Sequence, residues 1–193
     1  MKMKRGVLIG VGVVAVALAG AGLVLPEKVA SERSITIAAV PELIYPDVAM
    51  LRAWPEWTAW NPRSDPSFKP TYEGPEVGPG AIQRWGPETH GGAGSLRILD
   101  GDPQRGITFR LQLDQQNMSI DGRISFEREG TGTRVTWRDE LDFSNSYLGR
   151  YFGPLVDSDL SKRLDESLAN LKARSETRQR AAAAKAAMPP PSP

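Results

Sequence analysis

The chain has 193 residues, a formal net charge of +1, one histidine and no cysteine. That length suits one domain of about 145 residues with a leader and a tail, and the missing cysteine excludes disulfides, thiol catalysis and thiolate metal sites. Lys2, Lys4 and Arg5 carry +3 and Arg178, Arg180 and Lys185 another +3, which leaves −5 for the part between. A negative body argues against nucleic acid as partner, since that needs a basic face.

Behind the basic residues 1–5, positions 6–25 are uncharged and apolar. About 20 such residues are what a helix needs to cross a bilayer, and the positive cluster ahead of them predicts a cytoplasmic N-terminus. Ala17-Leu18-Ala19 and Ala19-Gly20-Ala21 offer the small-x-small pattern of a processing site. Two readings therefore stand, a retained single-pass anchor and a cleaved leader that leaves the protein secreted or periplasmic. Both put the rest of the chain on the extracytoplasmic side.

Residues 26–30 read as a short linker. Ser34-Ile35-Thr36-Ile37 alternates as a first strand, and Pro41 opens a helical stretch through Leu43, Val48 and Leu51 that Pro46 should break or bend. Trp54, Trp57 and Trp60 follow at a spacing of three, which on a helical turn would line one side. They suit either core packing or a pocket wall; Glu56 between them is expected at the surface. Strand-like runs follow at 69–74, at 81–86 after the turn Gly78-Pro79-Gly80, and at 94–99, ended by Asp100-Gly101-Asp102-Pro103.

Ile107 to Leu113, Met118 to Phe126 and Val135 to Phe143 then alternate apolar and polar residues. Such alternation is the habit of an antiparallel meander with one wet and one apolar face. Asp121-Gly122 interrupts the second run and predicts a bulge, or else a short extra hairpin.

The last regular stretch is 147–176. Leu148, Phe152, Val156, Leu160, Leu164, Leu168 and Leu171 form one apolar stripe on a helix of roughly 45 Å. That stripe needs a seat, and the apolar face of the sheet supplies one. Ser144 and Asn145 suit an N-cap, and Gly153-Pro154 should kink the first turns or mark the true start. Residues 177–193, rich in alanine and proline, read as a disordered tail.

This order of elements resembles the START-like helix-grip fold, the SRPBCC superfamily of Bet v 1-type proteins, START domains and the polyketide cyclase/dehydrase group. Local matches carry the resemblance further. Leu51-Arg52-Ala53-Trp54-Pro55-Glu56-Trp57, Tyr72-Glu73-Gly74-Pro75 with Gly78-Pro79-Gly80, Gly132-Thr133-Arg134-Val135-Thr136-Trp137, Leu148-Gly149-Arg150-Tyr151-Phe152 and Ser167-Leu168-Ala169-Asn170-Leu171-Lys172 look like membrane-anchored bacterial members of the polyketide-cyclase-like group. Covering residues 31–176, the resemblance implies an α+β fold. An antiparallel sheet of about six or seven strands would wrap around the long C-terminal helix, behind an N-terminal transmembrane helix. It also implies a cavity walled by Trp54, Trp57, Trp85, Phe109, Ile124, Trp137, Tyr151, Phe152 and Leu155, suited to a lipid, polyketide or isoprenoid-like molecule.

Two residues are candidates for proton transfer. His90 lies in a glycine-rich loop at 88–94 with no identifiable partner. Asp139 falls, by the parity of Val135, Trp137 and Leu141, on the inward face, where a carboxyl must be hydrogen-bonded, paired or protonated. Arg84 and Arg150 are its candidate partners, and a bulge near Asp139-Glu140 would turn it outward instead. One histidine without cysteine makes no zinc site of the usual type, and no cofactor is expected. The leading expectation is tethered binding of an apolar small molecule. A polyketide cyclase- or dehydratase-like enzyme, and a structural or partner-binding protein without ligand, are the alternatives.

Overall fold

The computed structural model describes residues 27–116, 118–143 and 149–187, with side chains in the last segment from Ser158 onward. Seven strands, β1 (Lys28–Ile37), β2 (Thr71–Glu73), β3 (Ile82–Trp85), β4 (Gly94–Asp102), β5 (Gly106–Leu113), β6 (Met118–Glu129) and β7 (Gly132–Asp142), form one sheet. Its order is β1-β7-β6-β5-β4-β3-β2, and every pairing is antiparallel. Between β1 and β2 lie α1 (Pro41–Ala49), a single 3-10 turn at Leu51–Ala53, and α2 (Trp54–Trp57); α3 (Gly149–Ala186) closes the chain.

Alternation explains the sheet. Ile107 and Phe109 of β5, Ile120, Ile124 and Phe126 of β6, and Val135, Trp137 and Leu141 of β7 are buried together on one face. Leu160, Leu164, Leu168 and Leu171 of α3 belong to the same core, so these four sit where the apolar seat was expected, while Leu148 and the side chains of Phe152 and Val156 lie outside the described residues. Polar contacts fix the helix over β1: Ser31 Oγ lies 2.9 Å from Ser161 Oγ, Lys172 Nζ donates to the Thr36 carbonyl at 2.7 Å, and Glu176 Oε1 accepts from the Ala38 N–H at 3.0 Å.

Several expectations need correction. The 26–30 linker is mostly strand, because β1 starts at Lys28 and pairs residue for residue with β7 from Lys28↔Asp142 to Ile37↔Thr133. Backbone satisfaction decides it, since ten paired residues leave no free ladder groups on that side. Nor does a tail begin at 177, for α3 continues to Ala186. Gln179 Oε1 accepts from the Val40 N–H at 3.2 Å and Arg178 reaches the Leu43 carbonyl at 2.6 Å, and the alanine run beyond has the highest helix propensity of any residue type. Pro46 does not break α1, where it removes one hydrogen bond from a nine-residue helix. Likewise α3 starts at Gly149, upstream of Gly153-Pro154.

The Asp121-Gly122 bulge is also absent. β6 keeps an unbroken register with β7 from Ser119↔Asp142 to Glu129↔Gly132. Glycine is there for space, as a Cβ at Gly122 would collide with the ring of Phe109. The sheet's irregularity lies in β4 instead, between Ile98 and Asp100. Gly122→Ala is expected to cost about 1–3 kcal/mol through overpacking; an unchanged urea midpoint would mean that the Phe109 ring moves aside freely.

The apolar run 6–25 and the cap residues Ser144 and Asn145 lie outside the described residues. Among the described residues no helix is long and apolar enough to cross a membrane.

Candidate functional site

α2 is four residues long with a tryptophan at each end. The Trp54 indole N–H donates to the Val48 carbonyl at 2.9 Å and that of Trp57 to the Asp47 carbonyl at 3.1 Å. With both polar tips satisfied by α1, the rings are free to face the sheet. There they meet Trp137 of β7, with centroids 5.7 Å from Trp54 and 5.5 Å from Trp57. Phe109 of β5 stands perpendicular to Trp54 at 5.3 Å. Trp60, just past α2, is 37 % exposed and still lies 6.3 Å from Trp137, with the Arg163 guanidinium 5.9 Å over its ring. The four tryptophans and Phe109 form one aromatic chain from the surface to the sheet's inner face.

At its inner end is Asp139. The side chain is only 5 % exposed, and the one hydrogen bond it shows among the described residues comes from the Trp137 indole N–H at 2.9 Å. Ser31 of β1 and Gly122 of β6 flank it in continuous register, so no bulge turns it outward. Arg84 is not its partner, being paired with Glu73 at 2.9 Å in solvent. The side chain of Arg150 lies outside the described residues. Burial pushes the Asp139 carboxyl up to about 7, while the Trp137 N–H pulls the other way. A carboxyl poised there can hold or release a proton near neutrality.

The other expected residues divide. Trp54, Trp57, Phe109, Ile124 and Trp137 are brought together in the buried core. Trp85 is half-buried in a second aromatic pair with Phe68, at 5.8 Å. Tyr151, Phe152 and Leu155 fall on the first turns of α3, and their side chains lie outside the described residues. Exposed His90 has its Nδ1 3.5 Å from Asp65 Oδ2, which also accepts the His90 backbone N–H at 2.8 Å. Among the described residues no group of three or more acidic or histidine side chains could hold a metal ion.

Two depressions stand out among the described residues. One, of about 300 Å³, is an open groove along β2 where Arg52 lies 4.5 Å over the Tyr72 ring. The second, of about 80 Å³, lies between Asp102, Arg105 and Arg123. Neither of these two lies between α3 and the inner tryptophans.

Residues 28–176 match the family described as polyketide cyclase / dehydrase and lipid transport. Solved structures share the fold at low identity. A Staphylococcus aureus protein of unknown function, SA2116, aligns with a TM-score of 0.58 and 14 % identity over 80 % of this chain and 97 % of its own. The di-domain ARO/CYC StfQ of the steffimycin biosynthetic pathway aligns with a TM-score of 0.57 and 16 % identity over 78 % of this chain, which spans 51 % of StfQ. Ara h 8.0201 gives a TM-score of 0.55 and 12 % identity over 78 % of this chain and 99 % of its own. The helix-grip architecture implied by the motifs is therefore the one found, and at such identities the likeness concerns fold alone. Among curated proteins none matches the chain.

Proposed function

We propose, since the chain belongs to the polyketide cyclase / dehydrase and lipid transport family, that it binds an apolar small molecule of lipid, polyketide or isoprenoid type between the sheet and α3. The carboxyl of Asp139 is the polar contact. One observation carries this reading: a buried carboxyl with one hydrogen bond among the described residues, at the inner end of an aromatic chain that reaches the surface at Trp60. A carboxyl group has several more positions to fill, and leaving them empty in an apolar setting is costly. A ligand hydroxyl or carbonyl there would fill one, while its apolar body displaced or stacked on the rings. Residues 6–25 hold this body on the extracytoplasmic face of a membrane as a single-pass anchor.

The tryptophans report on the test. Titration with aromatic polyketides, fatty acids and isoprenoids is expected to quench or shift their emission. Trp137→Phe, which removes the donor to Asp139, should weaken the best ligand about ten-fold, the worth of one good hydrogen bond. If Trp137→Phe and Asp139→Asn bind as the parent does, the ligand lies elsewhere. If nothing in the panel changes the emission and the protein isolated from cells carries no adduct in native mass spectrometry, the aromatic chain is a filled core.

A second reading is favoured by the titration of Asp139 alone. A carboxyl near 7 suits general acid or base work in a cyclase- or dehydratase-like step. Loss of turnover in a folded Asp139→Asn protein would support that reading, and unchanged turnover would remove it.

A further inference from the structure

The fold takes hold of the chain almost as soon as the apolar run ends. Leu25 closes that run, the Glu27 carbonyl already accepts from the Phe143 N–H at 2.7 Å, and Lys28 is fixed opposite Asp142 with its amine 2.8 Å from Glu140. Two residues span about 7 Å at most. The headgroup layer adds roughly 5–8 Å on each side of the hydrocarbon core. Resting on the tethering reading above, we propose that the end of the sheet carrying Lys28 and Asp142 is a lipid-facing surface, seated in the headgroup layer.

Register identifies what else lies at that end. Asp142 pairs with Ser119, Met118 with Leu113, Leu113 with Gly94, and Gly94 with Trp85. The loop at 86–93 and the turn after β5 therefore lie at the same end of the sheet as Lys28, and the bond from His90 to Asp65 brings the 61–67 loop with them. The aromatic chain opens on the same side. Trp57 is held by Asn170, Ala59 by Ser167, and Trp60 faces Arg163, so this segment steps back along α3 toward the helix start, which follows the end of β7. A ligand that reaches Trp60 comes from the membrane side.

Charge does not draw this end to lipid, because among the described residues Glu27, Asp65, Glu88, Asp114 and Asp142 outnumber Lys28, Arg63 and Lys69 there. The short covalent link does the holding, so the contact is insensitive to salt.

Because the chain has no cysteine, single labels are clean. The full chain carrying Gln116→Cys (the turn after β5) or Gln104→Cys (the turn before β5) is labelled with bimane. Each is reconstituted in phosphatidylcholine nanodiscs containing a nitroxide-headgroup lipid. The label at 116 is expected to be quenched about two-fold or more while that at 104 keeps its intensity, since eight strand residues separate the two ends by about 25 Å. Equal quenching at both positions, or quenching at neither, in protein that fractionates with membranes overturns the orientation and leaves the tether standing. Protein that does not fractionate with membranes overturns the tether itself, and the orientation with it.

Discussion

Asp139→Asn is expected to flatten the dependence of stability on pH. The carboxyl titrates near 7 in the folded chain because burial disfavours its charged form, whereas in the unfolded chain it titrates near the ordinary 3.8. Between those values the folded state holds a proton that the unfolded state has released. Stability therefore falls as pH rises, by about 1.4 kcal/mol per pH unit, and the loss is complete above 7. Across the window the total is on the order of 4 kcal/mol, a large part of the 5–15 kcal/mol that holds a typical domain together. Below pH 4 none of it is lost. Asparagine keeps an acceptor for the Trp137 indole but cannot ionise, so its curve lacks this slope. Its amide hydrogens lower the whole curve by about 1–3 kcal/mol if they stay unpaired, which changes the offset and not the slope. Urea unfolding at pH 5 and pH 8, followed by tryptophan emission, separates the two. Parallel losses in parent and variant would show that Asp139 is ionised in the folded chain throughout.

The same residue shows what could be read in advance. Parity along β7 put Asp139 inside, and the spacing of two that puts Trp137 on the same face already offered its hydrogen-bond donor. An arginine is the usual partner of a buried carboxylate, yet a carboxyl that can be neutral needs only a neutral donor. Gly122 is ambiguous in the sequence for a related reason. An Asp-Gly pair is a turn signal locally, while the fact that decides its role, the Phe109 ring on the neighbouring strand, is absent from the local sequence. β1 began earlier than its alternation showed because Ser31, a polar residue, points inward to meet Ser161. The spacing of Trp54 and Trp57 was legible, but whether such rings line a space or fill it depends on distances between elements that no spacing encodes.

The end of α3 was hidden by the same kind of tertiary contact, and Asp47→Ala tests it. Asp47 lies in α1 with 1 % of its surface exposed. Its carboxylate accepts from Arg174 Nε at 2.8 Å and from both terminal nitrogens of Arg178 at 2.9 Å, while its carbonyl holds the Trp57 indole. The desolvated carboxylate thus joins α1 to α3, while the backbone carbonyl of the same residue holds α2. Removing one partner of a buried pair costs about 3–5 kcal/mol. The low end, about 3 kcal/mol, is expected here, because Arg174 and Arg178 remain 36 % and 33 % exposed and solvent takes up part of their charge. Arg178 also keeps the Leu43 carbonyl, and Arg174 keeps Glu56. Ending the chain after Glu176 removes Arg178 and Gln179 and should cost a comparable amount. In a double-mutant cycle, truncation of the Asp47→Ala protein should then cost less than truncation of the parent, because only the contacts to the Leu43 carbonyl and the Val40 N–H are left for it to break. Additive losses would mean that residues 177–186 stabilise the protein without the Asp47 carboxylate, and the clamp would have to be abandoned.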